Sequence, residues 1–172
     1  IDQEAAYEIP ETRPSEEWPQ TGNINFKQVY MKYRPELDYV LKGLDASVYG
    51  AEKIGILGRN GAGKSTLMTV LFRLTELDKG SITIDGVDIS NLGLYDLRSR
   101  LSIIPQDPVL FSGTVRFNLD PFDNYSDREV WQALERAHIK SLVEELPMQL
   151  SDPVAEYGEN FSVGQRQLFC LA

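Results

Sequence analysis

The residues of this chain best suited to chemistry lie together in Gly58 to Thr66, the stretch GRNGAGKST. Gly58, Gly63, Lys64 and Ser65 fall at the G-x-x-x-x-G-K-S spacing of a phosphate-binding loop. Gly58, Gly61 and Gly63 carry no Cβ, so the backbone can take positive φ and curl its N–H groups around a phosphate. Arg59, Asn60 and Ala62 supply the intervening backbone of that cradle. Lys64 offers a compact point charge for β and γ phosphates. The Ser65 hydroxyl is a hard oxygen ligand suited to Mg²⁺ bridging the same two phosphates, and Thr66 follows it into the next element. The structural alternative is a glycine-rich turn that holds no ligand.

Such a loop needs a strand before it and a helix after it. Lys53-Ile-Gly-Ile-Leu57 is a short apolar run that predicts a buried parallel strand, and Ser65, Leu67, Met68, Leu71, Phe72 and Leu74 recur at helical spacing. A helix starting there adds its partial positive charge to an anion site. Upstream, Ile24, Phe26, Val29-Tyr30 and then Val40-Leu41 with Ala46 to Val48 predict an antiparallel strand pair joined around Arg34-Pro35. Downstream, Ser81 to Ile84 alternates, Asp85-Gly86 signals a hairpin turn, and Val87 and Ile89 resume the alternation, which predicts a solvent-facing hairpin. Leu94 to Arg100 reads as helical, and Leu101 to Ile104 as a buried strand stopped by Pro105. Ser126 and Glu129 stand at capping-box spacing ahead of a helix to His138, with Val130, Leu134 and Ala137 on one face; a shorter helix from Ser141 to Leu146 ends at Pro147.

Composition bounds the rest. At 172 residues, 42% hydrophobic and 25% charged, the chain has the material for one sizeable core. No apolar run within it reaches membrane-spanning length. Of the net charge of −9, the first twenty residues carry −5, from Asp2, Glu4, Glu8, Glu11, Glu16 and Glu17 against Arg13 alone. With Pro10, Pro14 and Pro19 among them, residues 1–20 are expected to be an acidic extended linker to something upstream. No basic cluster marks a nucleic-acid footprint, so nucleic acid is not an expected partner. The lone Cys170 lies in apolar Leu168 to Leu171 and reads as a small core residue. His138, the one histidine, falls in a predicted helix and is assigned a structural role; Asp107, Asp120 and Asp123 are assigned to turns and caps rather than to a metal.

Two further motifs carry a family resemblance. Phe161-Ser-Val-Gly-Gln165 followed by Arg166-Gln-Leu resembles the signature motif of ATP-binding cassette (ABC) ATPases, and Ile104-Pro-Gln106-Asp-Pro108 resembles their Q-loop. With the phosphate loop, three motifs stand in the family's order. Trp18-Pro19, Tyr33-Arg-Pro-Glu-Leu37, Leu110-Phe-Ser-Gly113, Asn118-Leu-Asp-Pro-Phe122 and Arg136-Ala-His138 are similar to the second nucleotide-binding domain of the multidrug-resistance-associated (C) subfamily. The likeness covers residues 18–172.

The resemblance implies an α/β P-loop NTPase fold, with an antiparallel β subdomain and phosphate loop over 21–105 and a Q-loop and helical signature subdomain over 106–172. It implies ATP and Mg²⁺ as ligands. Tyr33 would stack on adenine, where the alternative is an exposed strand tyrosine. Gln106 would serve Mg²⁺ and the attacking water, while Ser162, Gly164 and Gln165 would face the γ-phosphate held by a different cassette. In the family, the strand bearing an Mg²⁺-ordering Asp and a catalytic Glu, and a switch His, follow further on. The chain is therefore expected to be a C-terminally truncated cassette that does not hydrolyse ATP by itself. The whole protein is expected to be an exporter of organic anions, conjugates or drugs. Its partners would be transmembrane domains and a second cassette closing head to tail, with this domain on the cytoplasmic face of a membrane. The alternatives are a nucleotide-sensing channel regulator like the sulfonylurea receptors and a soluble ABC ATPase.

Overall fold

Ile24 and Phe26, then Val29 and Met31 beyond an irregularity at Gln28, face one side of β1 (Ile24–Met31), which pairs antiparallel with β2 (Leu41–Val48), as the sequence predicts. The computed structural model describes residues 4–59 and 61–172, which divide after Ser102 into two compact units. In the first unit, β3 (Lys79–Ile84) lies on the other edge of β1 and continues into β4 (Val87–Asp88), giving a four-stranded sheet in the order β2-β1-β3-β4. The turn at Asp85 and Gly86 takes positive φ at both residues, as a tight hairpin requires. This hairpin is not wholly solvent-facing. Its alternation turns Ile82 and Ile84 inward, where they are buried with Val29, Met31, Val70, Leu92 and Leu97, each such side chain contributing about 2 kcal/mol.

Helix α1 (Lys64–Leu71) packs on this core through Val70 and Leu71. Leu74, expected on the same face, is exposed because the helix has already ended. Arg73 adopts a φ of 50° there, and its buried guanidinium donates to the carbonyls of Ile89 and Leu92. Helix α2 (Leu94–Arg98) follows, shorter than the predicted Leu94 to Arg100. Arg98 donates from it to the carbonyls of Phe72 and Arg73, satisfying the open end of α1.

Two predicted strands are absent among the described residues. Ile54 and Ile56 are about half exposed and Leu57 is 96% exposed, and Ile103 and Ile104 are likewise half exposed. An apolar run becomes a parallel strand only when flanking strands and covering helices satisfy its ladder and both its faces. The sheets described here offer no rung to either run.

Residues 4–20 run along this unit. Trp18 is buried and its indole N–H donates to the Ile84 carbonyl at 2.9 Å. Further up the segment, Ala6 and Tyr7 carbonyls accept from the amides of Leu94 and Tyr95, the first two residues of α2. Glu4 pairs with Arg98, and Arg13 with Glu8 and Asp96. Composition shows the lack of a core-forming pattern in this acidic segment but not the basic and amide groups that hold it. Gly93 makes the approach possible: a Cβ there would stand 2.8 Å from the Glu8 Cα and the Tyr7 carbonyl oxygen.

In the second unit, a two-stranded pair of β5 (Gly113–Thr114) and β6 (Pro153–Val154) sits beside α3 (Val115–Leu119), α4 (Asp127–Arg136), α5 (Lys140–Glu145) and α6 (Val163–Leu171). Leu110, Val115, Val130, Leu134, Val143, Phe161 and Phe169 form its core, with Trp131 half-buried against them. Glu129 accepts from the Ser126 amide at the start of α4, as the capping-box spacing predicts. His138 lies just past the end of α4 rather than inside it, exposed and with a φ of 57°.

Gly93→Ala keeps an allowed backbone, since φ at Gly93 is −62°. It is expected to lift residues 4–13 at a cost of about 1–3 kcal/mol, read as faster hydrogen exchange at the Leu94 and Tyr95 amides. Unchanged exchange at both would show that the close approach is not what holds the segment. Asp85 gives a pH signature. The amides of Gly22 and Thr21, with that of Asn23, hold its carboxyl below the usual range, so its contribution is present above the unfolded-state pKa and is lost as pH falls through the lower folded value. Asp85→Asn should therefore lower stability to urea near pH 7, with the gap to the parent protein closing on acidification.

Candidate functional site

The phosphate loop leads directly into α1, and its last residue decides the character of that helix start. Gly63 is the N-cap, left-handed at φ 86° and ψ 12°, and it places no side chain over the first turn. A helix begins with four N–H groups that have no partner within it. Here the N-cap supplies no side-chain acceptor for those of the first turn. The chain caps its other long helices differently. The Ser162 hydroxyl accepts from the Gln165 amide at the start of α6, and Glu129 serves α4. Gly63 is also held in place: a Cβ on it would meet the Val40 side chain at 3.2 Å.

Lys64 bends back over the loop, donating to the carbonyls of Gly58 and Arg59, the latter at 2.9 Å. The ammonium thus folds back onto the backbone of its own loop. Ser65 is exposed at the first turn, whereas Thr66 is buried. Gly61 takes a φ of 79°, and the Ala62 amide donates to the Arg59 carbonyl. Asn60 lies outside the described residues. Tyr33, in the β1–β2 connection, comes to the same place: its hydroxyl lies 3.0 Å from the Thr66 hydroxyl, with the side chain half exposed. The sequence carries no signal for this bond, because it joins residues far apart in the chain.

Gln106 and the Ser162 to Gln165 motif belong to the second unit. Gln106 is exposed, and its carbonyl accepts from the Gln167 side chain of α6 at 3.3 Å. Ser162 and Gln165 form a reciprocal capping box, with the Gln165 side chain accepting from the Ser162 amide at 2.8 Å. Nothing lies within 4 Å of where a Cβ on Gly164 would be, so the first turn of α6 is open on that side.

Three aspartates of this unit share one structural partner. Arg116 pairs with Asp120, Asp123 and Asp127 and donates to the Tyr125 carbonyl. Asp120 is buried; burial pushes its pKa up, but the amides of Tyr125 and Asn124 and the Arg116 guanidinium more than offset this and hold it below the ordinary carboxylate range. The hub fixes the turn into α4, a role the sequence assigns to Asp120 and Asp123 without naming Arg116. Cys170 is exposed, against the expectation of a core position. Each residue of a helix is rotated about 100° from the last, and Phe169 takes the inward direction. What burial the thiol has raises its pKa.

A model of the ABC transporter family matches residues 41–172. The chain belongs to the ABC transporter family. The cassette is 54% identical to the human protein named ATP-binding cassette sub-family C member 2 over 99% of its own length, and 52% identical to human sub-family C member 3 over 98%. These relatives support a place in the C subfamily. The chain spans 11% of the length of each. A solved structure of a bacterial Atm1-family ABC exporter with ATP bound superposes with a TM-score of 0.88 at 32% identity, covering 96% of this chain and 29% of that one. The cassette thus has the ABC ATPase fold. Among its described residues no helix is long and apolar enough to cross a membrane.

Ser162→Ala removes the acceptor for the Gln165 amide and is expected to weaken the first turn of α6 by about 1 kcal/mol. The measurement is hydrogen exchange at Gln165, which should speed up while exchange in α4 stays as it was.

Proposed function

We propose that this chain is the second nucleotide-binding domain of a C-subfamily exporter, and that it binds ATP with Mg²⁺ at the loop from Gly58 to Thr66. The observation that carries the reading is the glycine-capped start of α1, which has no side-chain cap, with the Lys64 ammonium folded back onto the Gly58 and Arg59 carbonyls of the same loop. Donors of that kind suit a polyphosphate. Among the described residues Lys64 donates to carbonyls of its own loop, and an anionic oxygen is a stronger acceptor than a neutral carbonyl. The ammonium can therefore exchange them for phosphate with little movement. Ser65, exposed at the first turn, suits Mg²⁺ as an oxygen ligand. Mg²⁺ would neutralise phosphate charge, and the chain's own residues would do the binding and orienting. Arg59, Asn60, Gly61 and Ala62 line the cradle through their backbone, and Tyr33 offers a ring face for adenine.

Gln106 is the flexible amide proposed to sense the metal and the attacking water. The Ser162 hydroxyl accepts from Gln165 yet keeps its own hydrogen to donate, so with the open Gly164 amide and Gln165 it suits a γ-phosphate presented by a partner cassette. In the whole protein, two cassettes would close head to tail, and ATP hydrolysis would drive export through transmembrane domains from the cytoplasmic face. The likeness to an ATP-bound exporter supports this reading.

Lys64→Ala in the intact protein is expected to abolish ATP-dependent uptake into inside-out vesicles while leaving membrane insertion and expression level unchanged. Transport at the parental rate would show that this loop is dispensable.

A further inference from the structure

Thr66 lies in the first turn of α1, where the carbonyl four residues earlier, that of Ala62, precedes the helix; Thr69, one turn on, turns its hydroxyl back to the Ser65 carbonyl at 3.3 Å. Thr66 instead directs its hydroxyl across to Tyr33, at 3.0 Å, from a side chain only 4% exposed. The same β1–β2 connection touches the loop a second time at its far end, where Val40 packs against Gly63 so closely that a Cβ would stand 3.2 Å away. The connection is therefore fastened to the phosphate loop at both ends. At the Tyr33 end the fastening is a hydroxyl pair, either member of which can donate.

From this geometry we infer that Thr66 is a positioning residue for the aromatic platform: its hydroxyl holds the Tyr33 ring, so that the base end and the phosphate end of one ligand are recognised by a single rigid assembly. The inference rests on the nucleotide reading given above and adds to it a role for the tyrosine hydroxyl. A ring tethered only through its backbone would sample several rotamers and lose that freedom on stacking. A ring already held by a buried partner loses less. Phenylalanine would keep the stacking face but not the tether.

The test uses the intact protein and two probes, ATP and inorganic tripolyphosphate, which has the phosphates without the base. Tyr33→Phe and Thr66→Val are each expected to lower the ratio of ATP affinity to tripolyphosphate affinity about fivefold, the worth of one hydrogen bond. The double variant should be no worse than either single one, and Thr66→Ser, which keeps the hydroxyl, should restore the ratio. Additive losses, an equal weakening of both probes by Thr66→Val, or a Thr66→Ser variant as impaired as Thr66→Val would each overturn the inference while leaving nucleotide binding in place. A parent protein that binds ATP no more tightly than tripolyphosphate, or a Tyr33→Ala variant with parental ATP affinity, would remove the adenine platform itself and the inference with it.

Discussion

Backbone amides at the start of a helix must find acceptors, and the way this chain meets that demand organises what surrounds the loop. At α6, and at α4 through Glu129, a side chain closes the end. At α1 a left-handed glycine leaves it open and turns the chain so that a lysine lies over the gap. A polar helix end left unsatisfied costs free energy unless a ligand or water completes it. The β1–β2 connection is fastened beside this open helix start, at Thr66 and Gly63.

Arginine performs the complementary task at the other helix end. Arg98 reaches from α2 to the carbonyls of Phe72 and Arg73 at the exit of α1, while Arg73, turned left-handed just past α1, donates to the carbonyls of Ile89 and Leu92. In the second unit Arg116 gathers three aspartates and a carbonyl around the turn into α4. In an acidic chain these cations are not a surface display for an anionic partner. A planar guanidinium with five donors can close several backbone ends at once, which a lysine at the same positions could not do.

Features encoded by neighbouring residues were legible in the sequence. The glycine spacing of the loop, the Asp85-Gly86 turn, the capping box at Ser126, and the Val130, Leu134 and Ala137 face each depend on residues a few positions apart. Features set by distant partners were not. The runs at 53–57 and 101–104 are apolar enough for strands, yet strand formation belongs to the ladder and not to the run. Cys170 has apolar neighbours in sequence but shares its helix face with none that is buried. The acidic segment before Trp18 has a linker's composition, and its docking is written in Gly93, Arg98 and the amides of α2, some eighty or more residues on. The Tyr33 and Thr66 hydroxyl pair belongs to the same class.

The placement of the two tryptophans has a practical corollary. Trp18 is sealed beneath the hairpin of the first unit, with its indole committed to the Ile84 carbonyl, while Trp131 leans on the core of the second. The chain contains no others. Each unit thus carries a single tryptophan in a distinct environment, so replacing one with phenylalanine leaves a tryptophan signal that reports on the other unit alone, and the order in which the two come apart under denaturant becomes visible without any label.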